Sequence, residues 1–264
     1  MYPGDSSHDD LRSCAASADL QGPMQISVLL QSVLQSVRDK GLRHTVRRIV
    51  AAPGEWFLAR RKIVSTSSFP ANGIDTDGVV PLWTLDIDSP NLVHGVRYQA
   101  ANADAVRADL DALPIRHNEF SFVDLGAGKG LVLAIACDYR FTEVIGVEFS
   151  RELSAVANAN LQKLSDEHRG GYAAGCIHGD AADYQFENRD TVVFLYNPFG
   201  EVVMRKVLDN LAATFADAEH RLFIVYHNPV LAGLFDDSPY LVRTALPSKG
   251  VVYANRAAAP QLPA

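Results

Sequence analysis

A glycine-rich loop is the first feature of this sequence whose residue types could do chemistry. Residues 122–130 read FVDLGAGKG, so Gly126, Gly128 and Gly130 occupy alternate positions and Asp124 stands two residues ahead of the first glycine. Glycine has no Cβ and lets a ligand approach the backbone, while a carboxylate can accept hydrogen bonds from a ligand's ammonium group. The loop could therefore hold a phosphate, a dinucleotide or another adenosine-containing cofactor.

Two of these alternatives need a spacing that the loop lacks. A phosphate-binding P-loop has the pattern GxxxxGK followed by Ser or Thr, whereas Lys129 is followed by Gly130 and no glycine stands at the required upstream position. The dinucleotide fingerprint GxGxxG needs its third glycine at position 131, where Leu131 stands. The P-loop interpretation fails, and the dinucleotide interpretation is weakened while a variant of it stays open.

Three further polar residues follow apolar runs, and they would meet the loop at one edge of a parallel sheet. Glu148 ends EVIGVE, Asp180 follows HG, and Asn197 follows VVFLY. Ligands of such sheets lie beyond the carboxyl ends of the strands, where Glu148 could accept from ribose hydroxyls and Asp180 from an adenine amino group. The amides of Gly126 and Gly128 could bind an amino-acid carboxylate. S-adenosylmethionine has all of these groups and no phosphate.

Short apolar runs alternate with helical segments in the second half of the chain. The runs FSFVDL, EVIGVEF, VVFLY and RLFIVY are typical of strands buried on both faces, and residues 130–138, 151–167 and 201–216 have helical patterns. Residues 102–113 also have a helical pattern, and the final YLVRTALPSKGVVYANR indicates a hairpin. The sequence predicts an α/β fold with a parallel sheet covered by helices on both faces.

The motifs VDLGAGKG, VIGVEFS, GDAADY and VVFLYNPFG, in this order within residues 122–228, resemble those of class I S-adenosylmethionine-dependent methyltransferases. The stretch GIDTDGVVPLWTLDIDSPNLVHGVRYQ also resembles the lead-in segment of a little-characterised bacterial branch of that superfamily. Together these similarities cover most of residues 72–255. They imply a Rossmann-like, seven-stranded, mostly parallel sheet with an antiparallel final hairpin.

The resemblance also implies a cofactor and the residues that bind it. S-adenosyl-L-methionine would be the methyl donor and S-adenosyl-L-homocysteine the product, with no metal in the site. Tyr98 is expected to close over the cofactor, and Lys129 is expected to face solvent. The residues implied as cofactor-binding lie in the four motifs and the lead-in segment: Asp124, Gly126, Ala127, Gly128, Gly130, Glu148, Phe149, Asp180, Ala181, Asn197 and Tyr98.

The residues YNPF resemble the (Asp/Asn)-Pro-Pro-(Tyr/Phe) motif of amino-group methyltransferases, with one proline in place of two. In that motif the Asn side chain and a backbone carbonyl accept hydrogen bonds from the acceptor's N–H groups. Through FVDLGAGKGLVL, IGVE and VVFLYNPFGEVV the chain is also distantly similar to histone-lysine methyltransferases without a SET domain. Nitrogen is therefore favoured over oxygen as the acceptor. Asn197 and Tyr196 are predicted at the catalytic site, with His227 or Tyr226 to assist proton removal.

Composition limits the partners and the compartment. The net charge of −7 disfavours a protein built to coat nucleic acid, and the expected partner is a methyl-acceptor substrate, either a small molecule or a protein lysine. Three cysteines (Cys14, Cys137 and Cys176) have no metal-ligand spacing, which favours reduced thiols and the cytoplasm. The oligomeric state cannot be predicted.

The chain divides into four predicted parts. Residues 1–23 are expected to form a disordered tail, 24–118 a helical and lead-in segment, 119–256 the cofactor-binding catalytic domain, and 257–264 a flexible tail. An amphipathic helix over 24–37 is expected to cover the apolar helix LVLAIAC rather than contact a membrane. Eight of the 24 basic residues lie between positions 38 and 62, which indicates a solvated face or an acidic partner.

Other functions share parts of this pattern. A nicotinamide dehydrogenase would also use Glu148, but Leu131 and the NPF turn disfavour it. Aminopropyl transfer would require an acidic residue in place of Asn197. An O-methyltransferase of a small molecule and a non-catalytic S-adenosylmethionine-binding subunit are the remaining alternatives.

Overall fold

The computed structural model describes residues 38, 74–76, 79–80, 98–99, 101–164, 173–196, 198–248 and 250–261. The predicted tail at 1–23, the helix at 24–37, nearly all of the basic segment and Asn197 lie outside the described residues.

The central feature is one seven-stranded sheet. A separate two-stranded ribbon is made by β1 (Val79–Val80) and β2 (Tyr98–Gln99), which pair antiparallel. The seven strands of the sheet are, in chain order, β3 (Ser121–Leu125), β4 (Glu143–Glu148), β5 (Ala173–His178), β6 (Thr191–Tyr196), β7 (Leu222–His227), β8 (Leu241–Ala245) and β9 (Val251–Asn255). Apolar side chains dominate β3, β6 and β7 on both faces, which suits strands covered by helices on both sides.

The order of the strands across the sheet is β5-β4-β3-β6-β7-β9-β8. Strands β3 to β7 run parallel, and β9 is antiparallel to both β7 and β8. This arrangement is the one that the resemblance to class I methyltransferases implies, including the final antiparallel hairpin. The predicted fold class is confirmed: a Rossmann-like sheet of the class I methyltransferase type.

Five α-helices connect or flank these strands in the described part of the chain. They are α1 (Ala103–Asp111), α2 (Leu131–Asp138), α3 (Arg151–Gln162), α4 (Glu201–Phe215) and α5 (Ala232–Asp236). Side chains cap two of their N-termini: Asn102 Oδ1 accepts from the Ala105 amide and Ser150 Oγ from the Leu153 amide. The helical patterns in the sequence agree with α1 to α4, whereas the short α5 had no signal that was recognised.

The helices form a layer on each face of the sheet. Helices α1, α2 and α3 pack on the face that presents Phe122, Phe194 and Phe223. Helices α4 and α5 pack on the other face, together with Tyr226 and Tyr253. The carboxyl ends of the five parallel strands therefore lie at one edge between two helical layers, where a ligand can reach the strand ends.

The apolar helix α2 is buried along its whole length from Leu131 to Cys137. Helix α1 packs against it, and Arg107 of α1 contacts Asp138 at 2.8 Å. Helix α1 precedes the predicted domain boundary at 118–119, yet it covers part of α2. The amphipathic segment expected to cover α2 lies outside the described residues. Among the described helices, none is long and apolar enough to cross a membrane.

Candidate active site

The glycine loop joins β3 to α2 in a conformation that requires glycine. Gly126, Gly128 and Gly130 all have positive φ, at 85°, 54° and 82°. A Cβ on Gly126 would also lie only 2.6 Å from Cβ of Pro198, in the turn after β6. The alternating glycines therefore turn the chain sharply and bring the β3 and β6 loops together.

The predicted role of the loop amides differs from what the structure shows. The amides of Gly126 and Ala127 donate to the Val147 carbonyl at 2.8 and 3.2 Å, and the Gly128 amide donates to Glu148 Oε2 at 2.8 Å. The end of β4 runs beside the loop and offers these acceptors. The amides of Gly126 and Gly128 are thus engaged within the protein rather than directed at a ligand carboxylate.

Glu148, at the end of β4, is buried and holds the loop together. Its Oε1 accepts from the Ser150 amide at 2.9 Å, while its Oε2 accepts from Gly128. Burial raises the pKa of Glu148, and the amides of Ser150, Gly128 and Phe149 oppose that rise. An ionised carboxylate can accept about four hydrogen bonds. Glu148 can therefore keep its backbone contacts and still accept from a ligand hydroxyl.

Asp124, near the end of β3, is a second buried carboxylate close to Glu148. Burial raises the pKa of Asp124 to about 8, and repulsion from Glu148 adds to the rise. No hydrogen bond from the described residues reaches the Asp124 carboxylate, in contrast to Glu148. Burial therefore favours the protonated form of Asp124, and a cation placed beside it would favour the charged form.

We expect ligand-free wild-type protein to lose stability relative to Asp124→Asn as the pH rises. The folded state holds a proton on Asp124 that the unfolded chain releases near the ordinary pKa of 3.8. This contribution to the free energy of unfolding is therefore complete below that value and lost as the pH rises through about 8. Urea midpoints of both proteins across this range measure the difference. Curves that stay parallel would contradict a raised pKa of Asp124 in the folded state.

A small, open cleft lies beside the glycine loop, at the ends of β4 and β5. Four of the predicted cofactor-binding residues line it: Gly126, Phe149, Asp180 and Ala181. Asp180 also accepts from the Ala182 amide at 2.9 Å, so its carboxylate caps the short turn of Ala181–Asp183 that follows β5. Sequence motifs that are far apart along the chain thus converge on one cavity.

Four residues that line this cleft were not predicted as cofactor-binding: Val147, Gly179, Phe199 and Val203. Phe199 belongs to the YNPF motif, and it lines the same cleft as Phe149. Val203 lies on the first turn of α4. The apolar positions that open a helix could have indicated it, because ligands of such sheets lie at the adjacent strand ends.

The described piece of the lead-in segment is attached to the glycine loop. Asn160 of α3 donates to the Asp75 carbonyl at 2.7 Å and to the Lys129 carbonyl at 2.9 Å, and its Oδ1 accepts from the Asp75 amide at 3.0 Å. Lys129 contacts the Asp75 carboxylate at 2.8 Å, and its side chain is only 13% exposed. Lys129 therefore does not face solvent as expected. Tyr98 lies on β2, and its closure over the cofactor stays a prediction.

The predicted catalytic residues Tyr196 and His227 are neighbours at the ends of β6 and β7. They are paired in register, and their rings meet edge to face with centroids 5.0 Å apart. Tyr226 faces the opposite side of the sheet, where its ring is buried and its hydroxyl accepts from the Leu231 amide at 3.2 Å. The Tyr226 hydroxyl is thus already bonded to the backbone, and a part for it in proton removal stays a prediction.

His227 contacts two residues that the sequence did not single out. Its Nδ1 lies 3.1 Å from Asp109 Oδ2, on α1, and 3.3 Å from Ser248 Oγ, in the hairpin turn. Asp109 is more than a hundred positions away along the chain, so no local pattern could have joined it to His227. In the described part of the chain, no group of three or more His, Cys, Asp or Glu residues could hold a metal ion.

No protein-family model and no curated protein matches this chain. Among solved structures, the YcgJ protein of Bacillus subtilis is 23% identical over 49% of this chain and 55% of its own, with a TM-score of 0.36. An RNA methyltransferase of Salinibacter ruber, in complex with S-adenosyl-L-homocysteine, is 14% identical over 58% of this chain and 90% of its own (TM-score 0.39). The glycopeptide N-methyltransferase MtfA, complexed with sinefungin, is 15% identical over 48% and 52% (TM-score 0.37). The chain spans about half the length of the YcgJ and MtfA chains that it matches.

Proposed function

We propose that this chain is an S-adenosylmethionine-dependent methyltransferase that acts on a nitrogen acceptor. The observation that carries the proposal is that four residues line one cleft: Gly126, Phe149, Asp180 and Ala181. The buried carboxyl groups of Asp124 and Glu148 lie at the ends of the adjoining strands β3 and β4. The cleft has apolar walls and Asp180 at its edge, which suits an adenine with its amino group. Glu148 would accept from the ribose hydroxyls.

The electrostatics of the loop favour this cofactor over a dinucleotide. A pyrophosphate would need amide donors, but the Gly126 and Gly128 amides already donate to Val147 and Glu148. Its negative charges would also lie near the buried carboxyl groups of Asp124 and Glu148 and would disfavour the ionised form of both. S-adenosylmethionine brings an ammonium and a sulfonium group instead. Its own carboxylate must find donors other than these two amides.

The fit of the site defines what each residue would do. Asp124 would accept from the cofactor's ammonium group, and Phe149 and Phe199 would contact the adenine ring. When bound, the cofactor supplies an electrophilic methyl group. The remaining task of the protein is to hold an acceptor lone pair in line with that methyl group and to exclude water.

The acceptor is proposed from the turn that follows β6. Asn197 comes directly after Tyr196, the last residue of β6, and an Asn side chain could accept from an acceptor N–H. We assign the acceptor as an amine, with a protein lysine or a small molecule as its source. The buried free thiols of Cys137 and Cys176 support a reducing compartment such as the cytoplasm.

The test is incubation of the protein with ¹³C-methyl-labelled S-adenosylmethionine and a fractionated cell extract. The carbon chemical shift distinguishes N-methyl from O-methyl products, and we expect N-methyl signals. O-methyl signals would make the chain an O-methyltransferase. Cofactor binding with no labelled product in protein, nucleic acid or small-molecule fractions would identify a non-catalytic binding subunit.

A further inference from the structure

A buried polar cluster lies beside the proposed acceptor site, and its role is not explained by cofactor binding. Asp109 from α1 is 0% exposed and contacts His227 at the end of β7. Ser248, in the turn between β8 and β9, donates to the same carboxylate through both its amide and its hydroxyl. Three separate parts of the chain therefore converge on one carboxylate inside the protein.

The geometry determines which nitrogen of His227 holds the proton. Asp109 Oδ1 accepts from the Ser248 amide at 3.1 Å, while Oδ2 accepts from the Ser248 hydroxyl and lies 3.1 Å from His227 Nδ1. An ionised carboxylate only accepts hydrogen bonds, so the proton of a neutral His227 imidazole lies on Nδ1. Nε2 is then the nitrogen with a free lone pair, and it makes no hydrogen bond with the described residues.

His227 lies at the strand end beside Tyr196, the residue that precedes the turn from which the acceptor is proposed. His227 is paired in register with Tyr196, the residue before Asn197, and its side chain is 12% exposed. The imidazole is thus held between the core and the edge of the sheet where the strands end. Burial of a carboxylate costs free energy unless hydrogen bonds compensate it. Here the donors that compensate the burial of Asp109 include His227 itself.

We propose that Asp109 is a positioning residue that keeps His227 in the Nδ1-protonated tautomer, so that Nε2 accepts a proton from the methyl acceptor. This inference rests on the proposed function. The acceptor enters as an ammonium group; one of its N–H protons moves to Nε2, and the electron pair left on nitrogen forms the new bond to the methyl group. The methyl–sulfur bond breaks with its electron pair going to sulfur. The imidazolium that results lies beside the Asp109 carboxylate and later releases its proton to water.

The discriminating variant is Asp109→Asn. The Ser248 amide still requires an acceptor at the Oδ1 position, so the asparagine oxygen occupies that position and its NH₂ group faces Nδ1. The imidazole must then accept at Nδ1 and place its proton on Nε2, where it can no longer act as a base. A comparable exchange of Asp for Asn in the Ser-His-Asp triad also imposes the wrong tautomer.

The experiment combines the imidazole ¹⁵N signals of His227 with the rate of methyl transfer. Wild-type protein should show a protonated Nδ1 and an unprotonated Nε2. Asp109→Asn should show the reverse and should lower the rate by about a hundredfold or more, the lower part of the range for a general base. The affinity for S-adenosylhomocysteine should be unchanged. Asp111→Asn, on the same helix, is the matched control; Asp111 contacts Tyr139 instead, and tautomer and rate should both stay as in wild type.

Two results would overturn the proposal: an Nε2-protonated His227 in the wild-type protein, or a wild-type rate in Asp109→Asn. If Asp109→Asn fails to fold, the wild-type ¹⁵N signals and the rate of His227→Gln decide the question instead. His227→Gln should lose rate and keep cofactor affinity, and an unchanged rate would overturn the role. If the wild-type protein transfers no methyl group, the proposed function fails. The ¹⁵N signals still establish separately whether Asp109 sets the tautomer.

Discussion

Asn197→Ala is expected to lower the rate of methyl transfer about a hundredfold or more, because its contacts to the acceptor nitrogen matter most in the transition state. The amide oxygen would hold the acceptor N–H so that the nitrogen lone pair lies in line with the methyl group. The affinity for S-adenosylhomocysteine should change little, since that binding is assigned by our proposal to Asp124, Glu148 and Asp180. Single-turnover rates and calorimetric dissociation constants for the same preparation separate the two effects.

The companion variant Asn197→Asp tests whether the side chain positions the acceptor nitrogen or only shapes the turn. It retains an acceptor oxygen and corresponds to the acidic form of the amino-methyltransferase motif, so part of the activity should persist. If both variants transfer methyl groups at the wild-type rate, Asn197 only shapes the turn. The argument for a nitrogen acceptor would then lose its main support.

Glu148→Gln is expected to weaken binding of S-adenosylhomocysteine by about 1.5–3 kcal/mol, the range for hydrogen bonds to charged groups. This corresponds to a dissociation constant roughly ten to a hundred times higher. Glutamine is preferred to alanine because Glu148 is buried and accepts from the Gly128 and Ser150 amides. Alanine would leave both amides without that acceptor and would perturb the loop itself, whereas glutamine retains one oxygen for them.

The matched control for this variant lies on the same strand. Glu143, at the opposite end of β4, contacts Arg189 at 3.2 Å on the surface. Glu143→Gln makes the same substitution at the amino end of β4, away from the carboxyl ends where the cofactor is proposed to bind. It should leave the affinity for S-adenosylhomocysteine unchanged. Thermal unfolding of both variants without ligand measures the cost to the fold separately. Equal affinities for wild type and Glu148→Gln would mean that the ribose lies elsewhere.

The strands and helices around the sheet could be predicted because each has its own pattern within a short stretch of sequence. Each buried strand is a short apolar run, each helix has its own periodicity, and the chain passes from one to the next in order. The strand ends could also be located from polar residues. Asp124 is the second-last residue of its apolar run, Glu148 ends its run, and Asp180 comes directly after HG. The order of the strands in space came from the resemblance rather than from these local patterns.

The hydrogen bonds of the site could not be predicted because they join distant segments. Nothing near Gly128 indicates that its amide donates to Glu148, which is twenty positions further along the chain. Lys129 was expected to face solvent, but Asp75 and Asn160 hold the lead-in segment at that position. The contact between Asp109 and His227 depends on how α1 packs against the sheet, and no single segment encodes that packing.

The central claim is that the chain binds S-adenosylmethionine. Its most direct test is thermal unfolding of the wild-type protein with different adenosine-containing ligands. At about a hundred times its dissociation constant, a ligand of the folded state adds about 2.7 kcal/mol of stability. We therefore expect S-adenosylmethionine and S-adenosylhomocysteine to raise the Tm by several degrees, and NAD, NADP and ATP to leave it unchanged. A shift with NAD and none with S-adenosylhomocysteine would contradict the account, because it would mean that the glycine loop binds a pyrophosphate.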